Sequence, residues 1–250
     1  MKPLENKVAV ITGASRGLGK AMALALASQG ALIALVARDT EALTSVAAEI
    51  RALGATAEIF TADVTDEASV AALEKAIIER FGKVQILINN AGMNLRKKIH
   101  EFSLEEWMRV TNTNLTSVFL MCRAFVPHMK GQGYGRIVNM TSIMAHVSLP
   151  ERTAYSSTKA ALLGLTKSLA MELAPDNITV VGISPGPFLT EMNLAIVDDP
   201  EKNALFISKI PIGRWGRPEE IGSLAAYICS DAAGFITGTD ILIDGGWCAT

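Results

Sequence analysis

Short apolar runs alternating with longer segments of helical period leave this chain few ways to fold. Runs rich in Val and Ile fall at 8–11, 32–36, 59–60, 84–88, 137–138, 178–183 and 241–243, and apolar residues recur at helical spacing between them. Strands separated by crossover helices pair in parallel, with helices covering both faces of the sheet. The pattern therefore predicts an α/β fold built on a doubly wound parallel sheet. Ligands of such sheets bind beyond the carboxyl ends of the strands, so motifs at those ends gain weight. A chain of 250 residues supplies one sizeable core, and no repeat or Pro/Gly/Ser-rich linker divides it, so one domain spanning 1–250 is expected.

Charge and composition narrow the function classes. With 50% hydrophobic residues and a net charge of −2, nothing favours nucleic acid or an anionic membrane as partner. No apolar run reaches the roughly 18 residues of a spanning helix. The stretch Met1 to Lys7 lacks the apolar core of a signal sequence, and a cytoplasmic protein is expected. Cys122, Cys229 and Cys248 are widely spaced and form no zinc pattern with His100, His128 and His146, so neither a disulfide framework nor a metal site is indicated.

The first run leads into Thr12-Gly13-Ala14-Ser15-Arg16-Gly17-Leu18-Gly19, which opens a segment of Ala, Leu and Met. Glycines allow a tight turn and close backbone approach, and a helix amino terminus offers free N–H groups to a pyrophosphate. Gly13, Ser15, Arg16, Gly17, Leu18 and Gly19 are thus candidate dinucleotide contacts; a purely structural strand-to-helix turn is the competing account. NAD sites commonly place an acid at the end of the second strand, whereas a 2′-phosphate needs cations. Here that strand ends Leu35-Val36-Ala37-Arg38, so Arg38 with Arg16 favours NADP(H) over NAD(H). Asp39 leaves NAD open, since a small backbone shift could carry its carboxylate to a ribose. Arg38 and Asp39 could equally start and cap the next helix.

Three further candidates sit at strand ends or on a helix. Asp63, followed by Val64, could accept from an adenine amino group, or could form a turn before a helix capped by Thr65-Asp66. Small polar residues in Asn89-Asn90-Ala91-Gly92 suit a backbone packed against a cofactor, with an ordinary turn as the alternative. Asn114 lies inside a helical segment, 104–129, where Asn is unfavourable; turned inward, it could kink the helix and hold a water to Lys159.

Chemistry is expected within 139–159. Apolar spacing predicts a helix over 154–174, which puts Tyr155 and Lys159 four apart on one face. Lowering a tyrosine pKa from ~10 to neutrality takes about 4 kcal/mol. A cation at ~5 Å in an effective dielectric of ~20 supplies roughly 3 kcal/mol of that. The pair could donate a proton to, or take one from, a ketone or carbinol oxygen, and Ser142 could hold that oxygen. A surface Tyr/Lys pair is the bland alternative.

Thr12-Gly13-(x)3-Gly17-x-Gly19, Asp63, Asn89-Asn90-Ala91-Gly92, Asn114, Ser142, Tyr155-(x)3-Lys159 and Pro185-Gly186 with Thr190 together resemble the short-chain dehydrogenase/reductases over essentially the whole chain. The resemblance implies a one-domain Rossmann enzyme with about seven parallel strands, usually a homotetramer. It implies Tyr155 as acid–base group, Ser142 orienting the substrate oxygen, Lys159 lowering the tyrosine pKa and binding the nicotinamide ribose, and Asn114 holding a relay water. Thr190 would meet the nicotinamide carboxamide or phosphates after the Pro185-Gly186 turn, and the ending Asp244-Gly245-Gly246-Trp247 would lie near a subunit interface.

Texture is similar both to 3-oxoacyl-acyl-carrier-protein reductases and to gluconate 5-dehydrogenase-like enzymes. Positions often basic in the former are Gly133 and Asp176 here, which weakens the carrier-protein reading. The stretch 188–215 is expected to fold over substrate as a helical flap, hinged near Asp198-Asp199-Pro200 and Pro211-Ile212-Gly213. Arg96, Lys97, Lys98 and His146 could meet a substrate carboxylate, or form a solvated basic loop. The expected activity is reversible reduction of a small ketone: a 3-oxoacyl thioester, a keto sugar acid or similar. A dinucleotide-binding sensor without chemistry is the other class considered. A serine hydrolase is disfavoured because Ser142 sits in no G-x-S-x-G elbow.

Overall fold

The computed structural model describes residues 2–249; Met1 and Thr250 lie outside it. Seven strands form one all-parallel sheet: β1 (Val8–Thr12), β2 (Leu32–Ala37), β3 (Ala57–Thr61), β4 (Ile86–Asn89), β5 (Gly135–Met140), β6 (Ile178–Pro185) and β7 (Asp240–Ile243). Their spatial order is β3-β2-β1-β4-β5-β6-β7, so the winding reverses between β1 and β4. That reversal opens a crevice at the carboxyl ends of these two strands.

Side chains alternate along each strand and so divide the core in two. Ala9, Ile11, Ile33 and Leu35 face one layer, packed by α1 (Gly17–Ser28), α2 (Thr40–Ala52) and later α9 (Pro218–Cys229). Val8, Val10, Ala34 and Val36 face the other, covered by α3 (Glu67–Phe81), α5 (Ser117–Met129) and α6 (Thr153–Leu173). Acid caps start two of these sheet-covering helices, α2 and α3: Asp39 Oδ1 accepts from Ala42 N at 3.0 Å, and Asp66 Oδ1 accepts from Ser69 N at 2.7 Å.

The single helix expected over 104–129 is interrupted. After α4 (Leu104–Thr111), one π turn over Asn112–Thr116 precedes α5. The extra residue in that turn rotates Asn114 into the protein, where it is fully buried.

Between β6 and α9, the chain runs through a 3₁₀ turn (Glu191–Asn193), α7 (Leu194–Val197) and α8 (Pro200–Ile207). Asp199 caps α8, with Pro200 in its first turn. The root of this excursion is pinned by paired backbone bonds, Leu189 N to Gly216 O and Gly216 N to Pro187 O, both at 2.9 Å. Ile212 N donates to Gly245 O at 3.2 Å, so the second expected hinge is anchored to the C-terminal segment. Among the described residues, no helix is long and apolar enough to cross a membrane.

Candidate functional site

A cavity of about 970 Å³ follows the crevice between the carboxyl ends of β1 and β4 and extends under α8. Gly13, with φ +63°, turns the chain out of β1. A Cβ on Gly19 would lie 2.2 Å from Gly13 O and 2.5 Å from Asn90 Nδ2, so only glycine lets α1 start this close to the loop. Gly19 itself stands behind the cavity wall, whereas Gly13, Ser15, Arg16, Gly17 and Leu18 line it.

Thr12 and Asn90 fasten this loop to the end of β4. Thr12 Oγ1 accepts from Asn90 N at 2.9 Å and from Ala91 N at 3.0 Å, while Asn90 Nδ2 donates to Thr12 O at 2.9 Å and Gly13 O at 3.1 Å. The segment Asn90-Ala91-Gly92 is thus a clamp on the glycine loop as well as part of the lining, which an isolated turn would not be. No acid lies in the first turn of α1, and its N-cap Arg16 makes no side-chain cap. The helix amino terminus therefore presents unneutralised N–H groups to the crevice, a donor set suited to a dinucleotide pyrophosphate.

Beyond the end of β2, Arg38 lies 3.9 Å from Asp63 and is largely exposed. Asp63 Oδ1 accepts from Thr65 N and Thr65 Oγ1 at 2.9 and 2.7 Å. The Thr65 backbone N–H is the main influence holding its carboxyl below the usual range, with Arg38 a smaller one. Asp63 is thus both a turn former and, with Val64, part of the lining. Arg16 reaches across the crevice to Glu191 at 3.5 Å. Each arginine leans on a carboxylate, and they do not converge on one point as two cations straddling a phosphate would. Asp39 also lines the cavity, but its carboxylate is engaged as the α2 cap.

At the other end, α6 carries Tyr155 and Lys159 to Ser142, which follows β5. Met144 N donates to Ser142 Oγ at 3.1 Å, occupying one lone pair and leaving the hydroxyl proton for the Tyr155 oxygen. Burial pushes the Tyr155 phenol up, against the Ser142 hydrogen bond and the positive charge of Arg152. Lys159 Nζ donates to Met140 O at 2.5 Å and stands 5.7 Å from the Tyr155 ring centre. Its burial brings the ammonium down to about 8.

Asn114 does not line the cavity. Its Oδ1 accepts from Met93 N at 2.8 Å, and its Nδ2 donates to Met93 O at 2.9 Å and Thr158 Oγ1 at 3.1 Å. It thereby ties the π turn to both the β4 end and α6. A Cβ on Gly92 would sit 3.3 Å from Asn114 Oδ1 and 3.8 Å from Lys159 Nζ, so these two groups border one spot.

Pro185, Gly186 and Thr190 complete the lining on the β6 side, and Thr190 faces Gly17. Phe206 of α8 stacks on Trp215, with ring centres 5.7 Å apart and planes 8° from parallel, and Trp247 lies 5.8 Å from Phe206. All three reach the cavity, so the C-terminal segment contributes to its wall. The basic loop splits up: Arg96 lines the cavity, whereas Lys97 pairs with Glu106 at 2.5 Å. His146 turns away to Asp240 at 2.8 Å, inside a knot that includes Thr141 and Ser184.

The family model described as enoyl-(acyl carrier protein) reductase matches residues 13–248. The chain is 40% identical to D-threitol dehydrogenase of Mycolicibacterium smegmatis, covering 98% of this chain and 94% of that one. It is 37% identical to gluconate 5-dehydrogenase of Gluconobacter oxydans, covering 97% and 95%. Identity to the 3-oxoacyl-[acyl-carrier-protein] reductase of Thermotoga maritima is 35%, covering 97% and 98%. The chain belongs to the short-chain dehydrogenase/reductase family. It is an oxidoreductase acting on CH–OH or ketone groups with a nicotinamide dinucleotide. Among solved structures it is similar to one from Beutenbergia cavernae, provisionally assigned as an NAD(P)-dependent gluconate 5-dehydrogenase and holding NADP at low occupancy. Identity there is 35% and the TM-score 0.94, with 99% of this chain and 98% of that one covered.

Several residues of this short-chain dehydrogenase/reductase cavity escaped the sequence reading. Phe206, Asn94, Arg109 and Arg152 carried no motif at all, and Trp247 was expected near a subunit interface, not in the cavity wall. Arg152 had one usable signal: it precedes Tyr155 by three residues at the start of the same helix.

Proposed function

We propose that the chain is an NADP(H)-dependent ketone reductase, reversible to alcohol oxidation, with Tyr155 as proton donor. The observation that supports this best is the meeting of Ser142, Tyr155 and Lys159 in the same cavity as the glycine loop. Gly13, Ser15, Arg16, Gly17, Leu18, Arg38, Asp63, Val64, Asn90, Ala91, Gly92, Pro185, Gly186 and Thr190 would hold the dinucleotide. Gly19 and Asn90 would set the loop's shape. Hydride exchange with the substrate carbon is the chemistry a nicotinamide supplies when bound there.

The residues' part is the proton. Ser142 holds the carbonyl oxygen by its hydroxyl, and Tyr155 gives that oxygen the proton which completes the alcohol. The raised phenol is poised as an acid in the reducing direction. Oxidation needs it lowered; Lys159 Nζ stands 5.7 Å from the Tyr155 ring centre, and an ammonium ~5–6 Å from a phenolate would be worth roughly 3 kcal/mol at an effective dielectric of ~20. Asn114 positions Lys159's surroundings and would hold a relay water at the Gly92 spot. NADP(H) is favoured over NAD(H) because Arg38 and Arg16 are held only by long, exposed ion pairs that a 2′-phosphate could replace, while the Asp39 carboxylate is committed to its helix cap.

Segment 188–215, pinned at its root and bearing Phe206 and Trp215, would serve as the substrate flap. A keto sugar acid, a 3-oxoacyl thioester or a similar small ketone would be the substrate. Gly133 and Asp176, near the β5 and β6 amino ends, put no cation at the two positions where a carrier protein would need one, and the neighbouring Lys130 is paired to Asp176 at 3.2 Å. A homotetramer in the cytoplasm is the assembly and setting we assign. Exposed apolar Leu104, Met108 and Phe119 on α4 and α5 suit a subunit contact, and Cys122, Cys229 and Cys248 are unpaired thiols.

The test is nicotinamide absorbance with NADPH and NADH in parallel, against acetoacetyl thioesters, 5-ketogluconate and simple diketones. NADPH-dependent reduction of one class is the expected result. Tight NADPH binding with no turnover across the panel favours the sensor reading instead.

A further inference from the structure

We infer that Arg152 and Arg96 form an anion subsite at the substrate end of the cavity, so that the ketone carries a carboxylate or phosphate and a nearby hydroxyl. The inference rests on the proposal that this cavity reduces a ketone.

Arg152 immediately precedes α6 and lines the cavity beside Tyr155. Its Nη1 is shut off from solvent and has no hydrogen-bond partner among the described residues. A desolvated guanidinium donor without an acceptor is a costly group to keep, because its lost water has not been replaced. Arg96 comes from the loop after β4, also lines the cavity, and lies near enough for its charge to act on Arg152. Burial and this like charge together pull the Arg152 guanidinium below its usual range, only partly offset by Tyr155 and Glu151. An anion between the two guanidiniums would reverse both effects.

Two more observations converge on this place. Asn94 Oδ1 is also buried without a partner among the described residues, and Asn94, two residues before Arg96, lines the same cavity. A carbonyl-type acceptor there suits a substrate hydroxyl, beside cations that suit an anion. Glu151, directly before Arg152, is a non-glycine residue held at φ +65°, a strained conformation of the kind that collects at ligand sites. A hydroxy acid satisfies the whole set. A neutral polyol leaves both guanidiniums without an acceptor, and the 3-oxoacyl chain of an acyl thioester carries neither an anion nor a hydroxyl beside its ketone.

The experiment is calorimetric titration of the protein, saturated with NADP⁺, with gluconate, glucose 6-phosphate and the neutral polyol sorbitol. The subsite predicts that at least one anion binds about 10- to 100-fold more tightly than sorbitol, the range expected of a hydrogen-bonded charge pair. Preference for gluconate marks a carboxylate, and preference for the sugar phosphate marks a phosphate. Arg152→Leu should remove the preference, Arg152→Lys should restore part of it, and the exposed Arg96→Ala should reduce it without touching the core. NADP⁺ affinity measured in the same samples reports folding. Equal affinity for anions and sorbitol, or a preference that survives Arg152→Leu and Arg96→Ala, overturns the inference. An anion preference that depends on Arg152, in a protein that turns over no ketone, leaves the subsite standing and removes the reductase reading.

Discussion

The two ends of the cavity are built on different principles. Around the glycine loop the wall is backbone and small side chains, Gly13, Gly17, Ala91 and Gly92, delivered by the ends of neighbouring strands and fastened by Thr12 and Asn90. Beyond Tyr155 the wall is long side chains from four separate segments: Arg96, Arg152, Phe206 with Trp215, and Trp247. A backbone wall is fixed by the fold and admits one ligand shape. A side-chain wall can be retuned by substitution without moving a strand, which suits the end we propose for the substrate.

If the ends are separable in this way, damage to one should leave the other intact. The largest effect is expected from Tyr155→Phe: turnover should fall by about 10²- to 10⁴-fold, with NADPH affinity nearly unchanged in a fluorescence titration. Unchanged turnover would remove Tyr155 from the acid–base role. Next, Arg38→Ala should weaken NADPH by about tenfold, as loss of one charge-assisted contact implies, and NADH hardly at all. Equal loss with both would show that Arg38 does not read a 2′-phosphate.

A smaller effect is expected in the pH dependence of stability. Lys159 titrates near 8 in the folded chain, against an ordinary lysine value of ~10.4 when unfolded. Between these values the unfolded chain holds the extra proton, so this group makes stability rise with pH across that window. The raised Tyr155 acts in the opposite direction, but above ~10. The Cys122, Cys229 and Cys248 thiols, raised to about 12, 12 and 11, act in the opposite direction above ~8.5, so the readout is a difference: in urea unfolding from pH 8 to 10 the stability of the wild type should gain on that of Lys159→Met as pH rises, and parallel curves would mean that Lys159 is not desolvated. Smallest of all, Glu191→Gln frees Arg16 from an exposed ion pair. NADPH affinity should improve by less than about fivefold, and a weakened affinity would place Glu191 on the cofactor's side.

The same contrast decides how much was legible in the sequence. All seven strands, the glycine loop and the Ser142, Tyr155, Lys159 cluster show in local spacing, because each depends on residues close in sequence or at strand ends. Strand limits were less visible: β3 extends on both sides of 59–60, and Val84 is buried just ahead of β4 without joining the sheet. The π turn at Asn112–Thr116 was anticipated only as a kink, since nothing in Asn112-Thr113-Asn114 announces one extra residue per turn. His146 went to Asp240, 94 residues away, a partner that no local pattern can indicate. Arg152 was missed, and Trp247 was expected only near a subunit interface, for the same reason: the cavity they line is assembled by tertiary packing.

Separability is tested most directly by a double-mutant cycle on NADPH affinity, comparing the loss caused by Arg38→Ala in the wild type and in the Tyr155→Phe background. Independent ends predict the same loss in both, within about 0.5 kcal/mol. A loss that shrinks or disappears in the Tyr155→Phe background would show that the two ends act as one unit, contrary to this account.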